Sequence, residues 1–352
     1  MVTPERSELR TAWLSSYWYD HYDRYGGHLT ITEKGLRMTV SPSSVLTIGE
    51  TMALARADGP LDTNGATLTL GVGGSESNVA IGLSRLGHTC TWVTALGGDS
   101  FGNLVASTVA AEGVEVHDRR STQAGTGLMV RGPTTGSTRD VAYFRAQSAA
   151  STLDPSILQD VDWTGVGLLH LTGITAALSP TTRDLVTTAL ADARSQDITT
   201  SFDVNYREKL WSTEQARSFL TTIVGQLDIV FGDAAELALL VSADVPSESV
   251  VDALLTQGVD EVVLRDGARG ARCITAIEEV SSPALPINVV DTVGAGDAFV
   301  AGYLSARLEG EPLAARGQRG VICGGLACTA QGDWEGSPTR DQVHEVLLGV
   351  DQ

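Results

Sequence analysis

The sequence predicts an α/β fold in which a mostly parallel central sheet is flanked by helices and a small β-layer lies outside it. From Ser44 onward, short β-rich runs alternate with segments of helical periodicity, the pattern of repeated βαβ units. Two stretches break that alternation and carry no crossover helix, which assigns them to a separate layer. With 352 residues, 42% of them hydrophobic and 19% charged, the chain has material for one large α/β domain with a buried core.

The elements follow in order. Residues 1–43 stand apart, because six of the nineteen aromatics (Trp13, Tyr17, Trp18, Tyr19, Tyr22 and Tyr25) crowd into the first 25 positions without periodicity. They are predicted to be an N-terminal extension of unknown order, ahead of a domain spanning 44–352. The strands of that domain are VLTI (45–48), CTWVTAL (90–96), VGLLHL (166–171), ITTSFDV (198–204), LDIVF (227–231) and EVVLR (261–265). SESNVAIGLSRLG predicts a helix with Ser75 as N-cap, Val79, Leu83 and Leu86 on one face and Gly87 at its stop. The separate layer is formed by ATLTLGVGG (66–74) and GLMVRGPTTGSTRDVAYFR (127–145), the latter turning at PTTG. As a lid, these segments extend over about 63–74 and 125–146.

Composition narrows the function. A net charge of −19 argues against general affinity for nucleic acid or an anionic membrane, so an anionic ligand must meet locally placed arginines. No apolar run reaches about 18 residues and the first residues lack a signal peptide's basic start and apolar core, so a soluble, cytoplasmic protein is expected. The four cysteines, Cys90, Cys273, Cys323 and Cys328, form no C-x-x-C pair and no zinc spacing, and are expected to be reduced core residues.

The chemistry gathers in DTVGAGDAF (291–299). Phe299, Val300, Tyr303, Leu304 and Leu308 recur with helical spacing, so Gly294, Ala295, Gly296 and Asp297 fall at a helix entrance. There, unpaired N–H groups and partial positive charge favour an anion, and glycines let it approach the backbone. A carboxylate in that place repels the anion unless it takes a proton from the group that attacks it. GxxxxGK[ST] is absent, and GVGGSES (71–77) lacks the last glycine of a dinucleotide fingerprint, which excludes a P-loop and leaves a Rossmann site unsupported.

With GGSESNVAIGLSRLG (73–87) preceding DTVGAGDAFVAGYL in the chain, the sequence resembles the ribokinase-like (PfkB) carbohydrate kinases over residues 44–350. The resemblance implies a three-layer sandwich with a β-lid over the sugar and ATP on the opposite side of the anion hole. HLTGITAALSP (170–180), FDVNYREKLW (202–211) and YFRAQSAAS (143–151) are most similar to the 2-keto-3-deoxygluconate kinases of that family. The implied reaction is ATP-dependent phosphorylation of the terminal, 6-hydroxyl of that sugar acid. Asp297 would be the base, the N–H groups of Gly294 to Asp297 the anion hole, and Mg²⁺ the bridge between phosphates. Glu50, Gly73, Gly74, Asn78, Tyr143 and Arg145 would meet the sugar, and Arg145 and Arg207 would clamp its carboxylate. Arg265, Gly267 and Gly270 in RDGARGA would approach ATP together with Gly294 and Gly296. A monovalent cation near the anion hole is also compatible with the resemblance, and a homo-oligomer is expected.

Three departures stand out. The family's Asn-x-x-Glu near magnesium is missing, and Asp233 or Glu236 in GDAAE is expected to compensate through water. No asparagine suited to the adenine occurs around GVICGG, and Met129 occupies a lid position where the nearest relatives have tyrosine. Two rival readings stay open: a kinase of a neutral or other sugar, such as fructose or 5-dehydro-2-deoxygluconate, and a sugar sensor without turnover.

Overall fold

The computed structural model describes residues 27–32, 35–40, 44–62, 64–135 and 138–350. The chain divides into two compact units, 1–43 and 44–352. In the first, β1 (Gly27–Thr32) and β2 (Gly35–Val40) pair as an antiparallel hairpin. The aromatic cluster between Trp13 and Tyr25 lies outside the described residues, as does Gly136 of the PTTG turn.

The second unit is built on a nine-stranded sheet. Its strands are β3 (Ser44–Ile48), β6 (Cys90–Gly97), β7 (Glu115–Ser121), β10 (Val166–Thr172), β11 (Thr199–Asp203), β12 (Ile229–Gly232), β13 (Glu261–Arg265), β14 (Ala271–Ile274) and β15 (Glu279–Ser282). They are ordered β15-β14-β13-β12-β11-β10-β3-β6-β7. From β13 to β7 every pairing is parallel, and β14 and β15 close one edge antiparallel. Neighbouring residues of one strand feed opposite faces: Leu169 and Leu171 join one buried cluster, Leu168 the other. Helices cover both faces, so the strands read as continuous apolar runs.

The small layer is a second sheet of β4 (Met52–Ala57), β5 (Leu68–Gly73), β8 (Leu128–Thr135) and β9 (Thr138–Phe144), ordered β5-β4-β8-β9. β4 has no counterpart among the strands the sequence predicts: a single glycine, Gly49, marks the break between TMALARA and the preceding strand, and its alanines carry little β propensity. β7, β14 and β15 are likewise additions of the structure, being polar or only a few residues long. The helix predicted from Ser75 runs over Ser75–Arg85, but its N-cap is Gly74, and no side chain caps it. Ser75 is the first helical residue, and its hydroxyl is engaged elsewhere, as described below. Among the described residues no helix is long and apolar enough to cross a membrane.

The topology itself places a crevice. The chain leaves β3 for β6 on one side and returns to β10 on the other, so connections diverge beyond the carboxyl ends of adjacent strands β3 and β10, a ligand-binding location in open α/β sheets.

Candidate functional site: two cavities meeting at a helix entrance

A cavity of about 440 Å³ opens where the topology directs. Glu50 after β3, Asp203 and Asn205 around the end of β11, Glu236 after β12 and Arg265 at the end of β13 all line it. The second sheet roofs it with Met52, Met129, Arg131, Val141 and Tyr143, followed in the chain by Arg145. Of the residues expected at a sugar, Glu50, Gly73, Gly74, Asn78, Tyr143, Arg145 and Arg207 all line this cavity, as do Gly294, Gly296 and Asp297.

The helix Ala295–Leu308 starts at the cavity wall, with Gly294 as its N-cap at φ +71°. A Cβ at Gly294 would stand 1.7 Å from the carbonyl oxygen of Asp333, so both conformation and space demand glycine. Among the described residues, the N–H groups of Gly294, Gly296 and Asp297 have no acceptor, while that of Ala295 reaches Thr292 O at 3.4 Å. These free donors are a helix terminus open to an anion.

Asp297 is held from both sides. Ser75 Oγ donates to its Oδ1 at 2.7 Å and Asn78 Nδ2 to its Oδ2 at 2.8 Å, while Asn205 Nδ2 donates to Ser75 Oγ at 2.8 Å. Burial, with Asp203 adding to it, pushes the Asp297 carboxyl up to about 6 against those two hydrogen bonds.

Among the described residues four arginines line the cavity, and three are engaged by carboxylates. Arg145 binds Glu50 through Nε at 2.7 Å and Nη2 at 2.5 Å, and Glu50 also accepts from Ser148 Oγ. Arg131 divides its charge between Asp333 at 3.2 Å and Asp291 at 3.0 Å. Arg265 grips Asp203 with two hydrogen bonds of 2.7 Å and lies 3.6 Å from Glu236. Arg207 alone of the four forms no ion pair among the described residues; it is exposed and donates to Tyr206 O at 3.2 Å. Its charge opposes the upward shift of Asp297.

A second, more apolar cavity of about 690 Å³ lies across the helix entrance. Leu285, Pro286, Ile287, Val289, Phe299 and Val321 contribute to its walls, and the expected Gly267 and Gly270 line it too. Arg265, Thr292 and Gly296 belong to both cavities. A flat apolar group in one and a polar one in the other would therefore meet at the free N–H donors.

Comparison with known proteins decides the family: residues 42–340 match the family model of the pfkB carbohydrate kinases. The chain belongs to that family. A 2-dehydro-3-deoxygluconokinase of Bacillus subtilis is 35% identical over 86% of this chain and 94% of its own. A 2-dehydro-3-deoxygalactonokinase of Haloferax volcanii is 32% identical over 88% and 98%. A candidate ribokinase II of E. coli, solved in complex with ATP and Mg²⁺, superposes with a TM-score of 0.79 at 26% identity, covering 87% of this chain and 99% of that one. This pfkB kinase thus has the family's α/β fold and pairs two cavities, as transfer between ATP and a sugar requires.

The magnesium expectation is modified by geometry. Among the described residues no group of three or more His, Cys, Asp or Glu is arranged to hold a metal ion. Asp233 lines neither cavity; its carboxylate caps the short helix Ala234–Leu237 by accepting from Glu236 N at 2.8 Å. Glu236 lines the first cavity, but its oxygens accept from Tyr206 N and Asp233 N, each at 3.0 Å. Burial, then Asp203, pushes its pKa up, so a nearby cation would relieve it. Mg²⁺ that arrives on nucleotide phosphates needs only one or two protein carboxylates and keeps its waters, and Glu236 fits that demand.

Several cavity residues are not legible in the sequence as site residues. Ser75 reads there as a cap, and Asp203 and Asn205 stand inside FDVNYREKLW, where the residue singled out for a ligand is Arg207. Arg131 and Asp333 carry no local signature, since what unites them is the packing of the second sheet on the loop at 331–336. Asp203 has one usable signal, a carboxylate at the carboxyl end of a parallel strand.

Proposed function

We propose that this kinase phosphorylates the terminal, 6-hydroxyl of 2-keto-3-deoxygluconate or a close sugar acid, with ATP as donor. The observation that carries the substrate class is Arg207: a cationic side chain at a cavity whose other arginines already face carboxylates is placed to receive one from the ligand. This shifts the clamp expected of Arg145 and Arg207 toward Arg207. Arg145, tied to Glu50 and 5.9 Å from the ring centre of Tyr143, is suited to orient hydroxyls. The two relatives named for acting on 2-dehydro-3-deoxy sugar acids support the same reading.

The sugar occupies the cavity under the second sheet and ATP the apolar cavity, with Arg265 and Gly296 at their meeting point. Asp297 accepts the proton of the attacking hydroxyl; with a pKa of about 6 it is ionised at neutral pH yet remains basic enough to share a proton. Ser75 and Asn78 orient it, and Gly73 and Gly74 allow the sugar to approach the backbone. The N–H groups of Gly294, Gly296 and Asp297 receive the charge developing on the transferred phosphoryl. Mg²⁺ bound near Glu236 would supply charge neutralisation on the phosphates.

The test is ADP release with 2-keto-3-deoxygluconate, 2-keto-3-deoxygalactonate, fructose and 5-dehydro-2-deoxygluconate, and NMR assignment of the phosphorylated carbon. Preference for a 3-deoxy sugar acid with phosphate on C6 is expected. Preference for fructose would overturn the sugar-acid assignment, and binding without ADP release would favour a sensor.

A further inference from the structure

Two arginines on paired strands of the second sheet reach down to one loop. Arg56 of β4 and Arg131 of β8 are register partners. Arg56 Nη1 bonds Glu335 Oε1 at 3.2 Å and Arg131 Nη1 bonds Asp333 Oδ1 at 3.2 Å. Arg131 goes further: Nη2 bonds Asp291 Oδ2 at 3.0 Å, and Asp291 Oδ1 accepts the N–H of Val293 at 3.2 Å inside the turn that leads to Gly294. The loop touches that turn as well, since Asp333 O abuts Gly294. Arg131 is 7% exposed, Asp333 7% and Asp291 9%, so both carboxylates are buried against the same guanidinium.

We propose that Arg131 is a positioning residue that makes the anion-binding turn competent only when the second sheet is closed over the sugar cavity. The proposal rests on the reading of residues 291–297 as the phosphoryl site. With the sheet closed, Arg131 neutralises Asp291 and Asp333 and fixes the turn through Asp291. With the sheet lifted, those carboxylates and Asp297 crowd the place a phosphate must enter, and repulsion disfavours it. Asp333 already senses this crowding: burial pushes its carboxyl up to about 7, with Glu335, Asp297 and Asp291 adding to the rise and Arg131 opposing it. The arrangement would hold back phosphoryl transfer to water until the sugar is enclosed. By reciprocity, a nucleotide bound at the turn must favour the closed sheet.

That reciprocity gives a test without any sugar. Amide hydrogen exchange of the full chain is measured with and without Mg²⁺ and the non-hydrolysable analogue AMP-PCP. Among the described residues none of β4 or β8 lines the apolar cavity, so protection there reports coupling rather than contact. In the wild type the analogue should slow exchange at residues 284–289, 321–328 and 293–297 and also, about five- to tenfold, in β4 and β8. Arg131→Met should keep the first set and lose the strand protection to within about twofold. Arg56→Met, which cuts a lid contact that does not reach Asp291, should retain it. If Arg131→Met does not fold, Arg131→Lys, whose single ammonium cannot serve both carboxylates in a fixed fork, should weaken the protection. Equal strand protection in Arg131 variants and wild type, or none in a wild type whose cavity residues are protected, would overturn the coupling. No protection anywhere would overturn the nucleotide-site reading and the coupling together.

Discussion

Replacing Asp297 by Asn removes the proposed base and keeps its shape. The environment can accommodate the amide: its oxygen can accept from Asn78 Nδ2, and its NH₂ can donate to Ser75 Oγ, which already accepts from Asn205. Loss of a general base lowers kcat by about 10²- to 10⁴-fold, roughly 3–5 kcal/mol of barrier. Stability should move the other way. The wild-type carboxyl rises from 3.8 to about 6 on folding, so the stability it contributes is fully present below pH 3.8 and is lost as pH rises through about 6. That loss is about 1–3 kcal/mol once contact with cavity water is allowed for, and Asn does not suffer it. At pH 8 the variant should therefore melt about 2–6 °C higher than wild type, with the gap closing toward pH 4. Turnover by ADP release and thermal unfolding at both pH values measure the two effects. Turnover within tenfold of wild type would take Asp297 out of the proton's path, and a lower melting point at pH 8 would contradict the idea that burial strains its charge.

Further outcomes follow from the same geometry. In the wild type, kcat/KM should fall as pH drops through about 6, because protonated Asp297 cannot accept the hydroxyl proton; a profile flat from pH 8 to 5 would contradict this. Gly294→Ala should lose activity and stability together, since a left-handed Cβ costs about 1–2 kcal/mol and would overlap Asp333 O; crystallisable, fully active protein would show the turn to be pliable. Removing residues 1–43 should leave kcat and KM unchanged, because the described residues that line both cavities all fall within 50–333; an inactive truncation would give the extension a part in the domain.

How far the sequence anticipates this site depends on the range of the interaction involved. DTVGAGDAF places Gly294 to Asp297 at a helix entrance through spacing alone, and the described helix begins there. The alternation of apolar runs likewise announces the parallel sheet. β4 is hidden because a short strand rich in alanine has no pattern of its own. The charge partners are hidden for another reason: Arg145 with Glu50, Arg131 with Asp333 and Arg265 with Asp203 join residues 95, 202 and 62 positions apart. An arginine that looks available for a substrate carboxylate in the sequence is thus found neutralised once the chain is folded. Of the four cavity arginines only Arg207 has no carboxylate partner among the described residues, a distinction that exists only in the folded chain.

The most direct measurement is therefore kcat/KM of wild type and Arg207→Met on 2-keto-3-deoxygluconate and on fructose, side by side. Removing a charge-assisted contact from a closed site costs on the order of 2–5 kcal/mol, so activity on the acid should fall at least about tenfold. Activity on fructose, which has no carboxylate to strand, should change by less than about threefold. Equal losses on both sugars, or a wild type that prefers fructose, would contradict the assignment of Arg207 to a sugar-acid carboxylate.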